Sequence, residues 1–74
     1  MSAKEMFEEL GYEIDSTYEI ERHLYYCKDY TKIDFDLNRN DFYKYNSGGF
    51  RSPIDMKLLK AINQQCKELG WLDE

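Results

Sequence analysis

The stretch TKIDFDL, residues 31–37, alternates strictly: Thr31, Ile33, Phe35 and Leu37 fall on one side of an extended chain, and Lys32, Asp34 and Asp36 on the other. Side chains along a strand repeat every second residue, so this pattern predicts an antiparallel strand with one buried and one solvated face. Upstream the same period continues. Tyr18, Ile20, Leu24 and Tyr26 point one way, with Arg22 as the odd member, while Glu19, Glu21, His23, Tyr25 and Cys27 point the other. Lys28 and Asp29 stand where a tight hairpin joins these two strands. Downstream, NRND (38–41) reads as a turn and FYKYN (42–46) as a third, shorter strand. EIDSTY (13–18) is acidic and turn-like, and reads as a connector.

Both flanks carry a helical period instead. In MSAKEMFEELGY, Ser2 and Glu5 have the capping-box spacing, Met1 and Met6 that of a hydrophobic staple. Ala3, Met6, Phe7 and Leu10 then make one apolar stripe. In SPIDMKLLKAINQQCKELGW, two starts compete: Ser52 as cap with Pro53 at the first helical position, or Asp55 as cap with Ile54 stapled to Leu59. Leu59, Ile62, Cys66 and Leu69 repeat at helical spacing, with Leu58 broadening the stripe. ELGY (9–12) and ELGW (68–71) end both helices alike, with Gly11 and Gly70 where the chain turns left-handed and an aromatic behind each. NSGGF (46–50) breaks the period and reads as a loop.

The order helix, three-stranded antiparallel meander, helix predicts one α+β domain over 1–74, a two-layer sandwich with both helices on one sheet face. Its expected core is Phe7, Leu10, Ile20, Leu24, Ile33, Phe35, Leu37, Leu59, Ile62, Cys66 and Leu69, with Trp71 at the edge. At 74 residues the chain is near the lower limit for a single core, and its seven Tyr, four Phe and one Trp compensate with large rings.

No stretch reaches the roughly 20 apolar residues of a membrane span, and no basic-then-apolar leader opens the chain, so a cytoplasmic protein is expected. Cys27 and Cys66 read as reduced thiols. Of the net charge of −5, the whole excess lies in residues 1–21, where seven acids face Lys4 alone. That balance disfavours phosphate backbones as ligands.

Candidate chemistry is sparse. His23 is the sole histidine, and Cys27, four residues on along a strand, is roughly 13 Å away, too far for a Cys–His pair. His23 therefore reads as an exposed polar group, and no enzyme is expected. No close Cys or His pair suits zinc, SGGF lacks the lysine of a phosphate loop, and DFDLNRND lacks the glycine and terminal glutamate of a calcium loop. No cofactor is implied.

The tyrosines are the feature the core does not consume. If Phe42 packs inward, Tyr43 and Tyr45 point outward beside Tyr25 and His23. The opposite phase, with both tyrosines inward and Phe42 partly exposed, suits the strand equally. In the first phase the candidate interaction surface is Tyr25, Tyr43, Tyr45 and His23, with Glu8, Glu9 and Glu13 as an acidic rim. Tyrosine is enriched at protein interfaces, so the expected partner is another protein or a second copy of the chain. The alternative is nucleic acid, either stacked on the tyrosines or imitated by the acidic third.

The text SAKEMFEELGY (2–12) with DMKLLKAINQQCKELGW (55–71) resembles a loose family of small phage- and prophage-type proteins of low-GC Gram-positive bacteria. Its members open on AKEMFEELGY-like text, carry tyrosines centrally and close on LKAINxQxxELGW. The resemblance implies a non-enzymatic accessory protein and carries no catalytic residue, since none is known for the family.

Overall fold

The computed structural model describes residues 1–15, 22–46 and 53–72. In chain order the elements are α1 (Ala3–Glu9), β1 (Glu13–Asp15), β2 (His23–Lys28), β3 (Thr31–Asp36), β4 (Asp41–Asn46) and α2 (Met56–Glu68). The class is α+β. The chain divides into two compact units, a helical one made of Met1–Gly11 with Pro53–Glu74, and a sheet made within Tyr12–Ser52.

In the helical unit, local sequence sets each helix end. The Glu5 amide donates to Ser2 Oγ at 3.2 Å and the Ser2 amide donates to Glu5 Oε1 at 2.9 Å, so the expected capping box closes. Of the two starts open to α2, Asp55 is the cap, its Oδ1 accepting from the Leu58 amide at 2.9 Å. Serine 52 lies outside the described residues. The Glu68 carboxylate accepts from the Ala3 amide at 2.8 Å and from Gln64 Nε2 at 2.9 Å. A side chain near the end of α2 thus satisfies an orphan donor at the start of α1, an effect no local pattern announces.

The buried arc of α2 is Leu58, Ala61, Ile62, Gln65 and Cys66. Leu59, expected in the core, is 46% exposed. At 3.6 residues per turn it stands about a quarter turn from the centre of that arc. The Ile54–Leu59 staple fails for the same reason, both residues being exposed. Burial pushes the Cys66 thiol up from its ordinary value. Both cysteines are free thiols.

Both helix stops are glycines with positive φ, 94° at Gly11 and 78° at Gly70. At the second, the Trp71 amide donates to the Cys66 carbonyl at 2.9 Å and the Gly70 amide to the Lys67 carbonyl at 3.0 Å, the two bonds of a Schellman ending.

The sheet has four strands, not three, in the order β1-β2-β3-β4, every pair antiparallel. The extra strand comes from the segment read as a connector: Glu13, Ile14 and Asp15 pair with Cys27, Tyr26 and Tyr25. Three residues are too few to display a period of two. The β2–β3 loop is Asp29 and Tyr30 rather than Lys28 and Asp29, with Asp29 at φ 49°, a conformation aspartate tolerates. The strand expected from Tyr18 begins at His23, after a turn with Arg22 at φ 61°. Residues 18–21, and with them the expected core residue Ile20, lie outside the described residues.

Leu24, Tyr26, Ile33 and Phe35 are the buried side chains of one sheet face, and Tyr26 meets Phe35 edge-on with ring centres 6.2 Å apart. Leu37 lies in the turn after β3 and is half-buried, as are Leu10, Leu69 and Trp71. Ala3, Tyr12, Tyr26, Leu58 and Ala61 are buried beyond the expected core.

Two measurements test the helix ends. A Cβ on Gly70 meets nothing within 4 Å, so Gly70→Ala should cost about 1 kcal/mol through backbone conformation alone, read from urea denaturation. The Ser2 amide, then its hydroxyl, holds the Glu5 carboxyl below its ordinary value. A lowered folded value gives stability that is complete above the ordinary carboxyl range and lost as pH falls through the lowered one. The urea midpoint of the wild type should therefore drop more across that acid interval than that of Glu5→Gln.

Candidate functional site

Antiparallel partners in register share a face, so the pairing places each candidate residue. His23 lies opposite Asp36, which lies opposite Asp41; Tyr25 opposite Asp34, which lies opposite Tyr43; Cys27 opposite Lys32, which lies opposite Tyr45. One face thus carries His23, Tyr25, Tyr43 and Tyr45 together. The phase left open for β4 is decided by Phe42, which pairs with Phe35 on the buried face, ring centres 5.5 Å apart. Tyr43 and Tyr45 point the other way, 43% and 50% exposed, with ring centres 6.1 Å apart.

Glu13 lies opposite Cys27 and so belongs to the tyrosine face. Glu8 and Glu9 are exposed on α1 in the helical unit.

The expectation of an exposed His23 needs correction. Its Nδ1 lies 2.8 Å from Asp34 Oδ1, and the two side chains are 24% and 9% exposed. The His23 ring also stacks on Tyr25, 5.6 Å between centres and 8° from parallel. On the far side of that tyrosine stands Lys32, whose Nζ is 3.9 Å from the ring centre. The series Asp34, His23, Tyr25, Lys32 is one connected polar-aromatic cluster. Asp34 and Asp36 were expected to face water and are buried. Asp36 accepts through Oδ1 from the amides of Asn38 at 2.9 Å and Arg39 at 3.2 Å, which stabilises the turn into β4. Asp41 Oδ2 accepts from the Tyr43 hydroxyl at 3.3 Å and lies 3.6 Å from Arg39 Nε, while its Oδ1 is buried without a partner among the described residues.

Asp34 and Lys32 were not singled out from the sequence. The signal was present: with a two-residue loop at 29 and 30, simple counting brings Tyr25 opposite Asp34.

A carboxylate-held imidazole can act in proton transfer, but Cys27, the thiol on that face, is separated from His23 by Tyr25 along the strand. Among the described residues no three His, Cys, Asp or Glu side chains come together as a metal site. An open cleft in the helical unit is lined by Met1, Met6, Leu10, Glu9, Lys57 and Lys60, three apolar and three charged side chains with no hydroxyl, thiol or imidazole among them. What the sheet face offers is contact: exposed rings, a cation held on a ring, and carboxylates between them.

The chain matches no protein-family model, no curated protein and no solved structure. No described helix is long and apolar enough to cross a membrane.

A double-mutant cycle tests the cluster. Lys32→Met and Tyr25→Leu, measured singly and together by urea denaturation, should show a coupling of about 0.5–1 kcal/mol, the range of a cation–π contact at an exposed site. Strict additivity contradicts the contact.

Proposed function

We propose that this is a small non-enzymatic accessory protein, of the phage or prophage type its two ends resemble, working in the cytoplasm by docking the tyrosine face of its sheet on another protein. The observation that carries the reading is the pair Tyr43 and Tyr45, both large, both exposed and adjacent to the His23–Tyr25–Lys32 cluster. Aromatic rings with polar tips bury much area at low side-chain entropy cost, which is the composition of interface centres. The ordered cluster beside them adds a surface whose rotamers are already restrained, so less freedom is lost on binding.

Nucleic acid is the weaker ligand for the same face. Single-strand binders combine stacking rings with a cationic groove. Here Asp34, Asp36 and Asp41 lie between the rings, with Lys32 as the lysine in register among them. Phosphates approaching these rings meet carboxylates.

The test is a comparison of retained host proteins on immobilised wild type, a Tyr43→Ser/Tyr45→Ser variant and a Met56→Ser control in the helical unit. A specific protein held by wild type and control but lost from the tyrosine variant is the expected result. Equal retention on all three refutes the face as the site. Oligonucleotide retention that weakens steeply with salt favours the nucleic-acid reading instead.

A further inference from the structure

Two tyrosine rings of the sheet unit already hold cations of the same chain. Lys28 Nζ lies 5.6 Å from the centre of the Tyr12 ring, and Lys32 Nζ lies 3.9 Å from that of Tyr25. Both are within cation–π reach, where the negative face of the ring attracts the charge. Among the described residues neither Tyr43 nor Tyr45 holds such a cation, although their rings are the more exposed, at 43% and 50%. Lys32 stands opposite Tyr45 in register and directs its ammonium to Tyr25 instead.

The pair on β4 has a definite shape. The rings of Tyr43 and Tyr45 lie on one face, with centres 6.1 Å apart and planes 32° from parallel. Sliding a planar group between two rings takes roughly 7 Å, twice the van der Waals contact distance, so a ligand lies over them rather than between them. A carboxylate stands at their edge. The Tyr43 hydroxyl donates to Asp41 Oδ2 at 3.3 Å, and because Oδ1 is buried, Oδ2 is the oxygen that an incoming cation meets. Arg39 Nε lies 3.6 Å from the same oxygen, but that side chain is 70% exposed and Asp41 38%. So exposed a pair contributes little, and an arginine from outside can replace it.

The charge of the face has one sign. Register places Glu13, Asp34, Asp36 and Asp41 on it, with Lys32 as the lysine of the paired strands on that side.

We infer that the face recognises an arginine of its protein partner, the guanidinium lying over Tyr43 and Tyr45 and donating to Asp41 Oδ2. This rests on the docking reading above and names the chemistry that the docked protein presents. A guanidinium is planar, stacks on aromatic faces and is more weakly hydrated than an ammonium, so it covers both rings and loses less on leaving water. The carboxylates of the face steer a basic segment towards the rings and repel an acidic one.

The test titrates the nitrogen-15-labelled chain with acetylated tetra-arginine, tetra-lysine and tetra-citrulline, read from amide shifts. Tetra-arginine should bind with shifts centred on residues 41–45, and tetra-lysine should bind about threefold more weakly. Tetra-citrulline, planar but uncharged, should not bind. Tyr43→Leu/Tyr45→Leu keeps apolar bulk without the ring face and should weaken tetra-arginine about tenfold, while Tyr43→Phe/Tyr45→Phe should stay within about twofold of wild type. Asp41→Asn should weaken it and flatten its salt dependence. Absence of shifts at 41–45, equal binding of tetra-lysine, or equal losses in the leucine and phenylalanine variants overturns the inference. Retention of host proteins separates it from the reading beneath it. A host protein lost from the Tyr43→Ser/Tyr45→Ser variant but not displaced by tetra-arginine upholds the docking face and overturns its arginine ligand. Tetra-arginine binding at 41–45 with equal retention of host proteins on every variant upholds the cation site and overturns the docking face.

Discussion

The sheet depends on a loop of two residues. Asp29 at positive φ lets β2 turn directly into β3, and that closure sets which residues lie opposite one another across the first hairpin. Side chains alternate with a period of two, so a one-residue slip exchanges the faces, whereas moving the whole turn by one residue shifts the pairing by two and exchanges nothing. Leu24, Tyr26, Ile33 and Phe35 are buried together because the loop has this length. His23, Tyr25, Lys32 and Asp34 meet on the other face for the same reason. The turn also decides the direction of every backbone bond across β3.

Charge on the tyrosine face is arranged rather than merely solvated. Asp34 is buried, and it is tolerated because His23 Nδ1 stands 2.8 Å away. Asp36 is buried and accepts two turn amides. These carboxylates therefore shape the chain while lending the face its acidic character. Lys32 and His23 lie on either side of Tyr25, so one ring is held between two nitrogen-bearing side chains. Tyr43 and Tyr45 lie on β4 opposite Asp34 and Lys32, next to that cluster, and their exposure suits an encounter with another molecule.

Much of this was legible because periods are local. The alternation in residues 31–37 identified β3 and the division of its faces, and three helix limits followed from Ser2, Gly11 and Gly70, whose effects reach only a few residues, while the start of α2 stayed open between Ser52 and Asp55. β1 escaped because three residues show no period, and it forms only because β2 is there to receive it. Leu59 was misplaced because its apolar side chain fits a helical stripe in sequence, while the arc that is buried centres elsewhere on α2. Of the candidate site, the residue types were readable, but not whether Tyr43 and Tyr45 share the face of His23 and Tyr25, because either phase of β4 suited the sequence until Phe42 met Phe35. The partners were not: whether Asp34 faces water or His23 turns on which strand residue lies opposite which.

Sequence by itself thus determined an α+β protein, the strands β2 to β4, both helices with their stops and the cap of α1, and the tyrosine surplus. Those properties arise from dihedral preference, periodicity and capping, which act within a few residues. Tertiary structure decided the fourth strand, the phase of Phe42 against Phe35, the Glu68 carboxylate on the Ala3 amide, and the Asp34–His23–Tyr25–Lys32 cluster. Each joins groups that are distant along the chain or on different strands, so each exists only once the register is set.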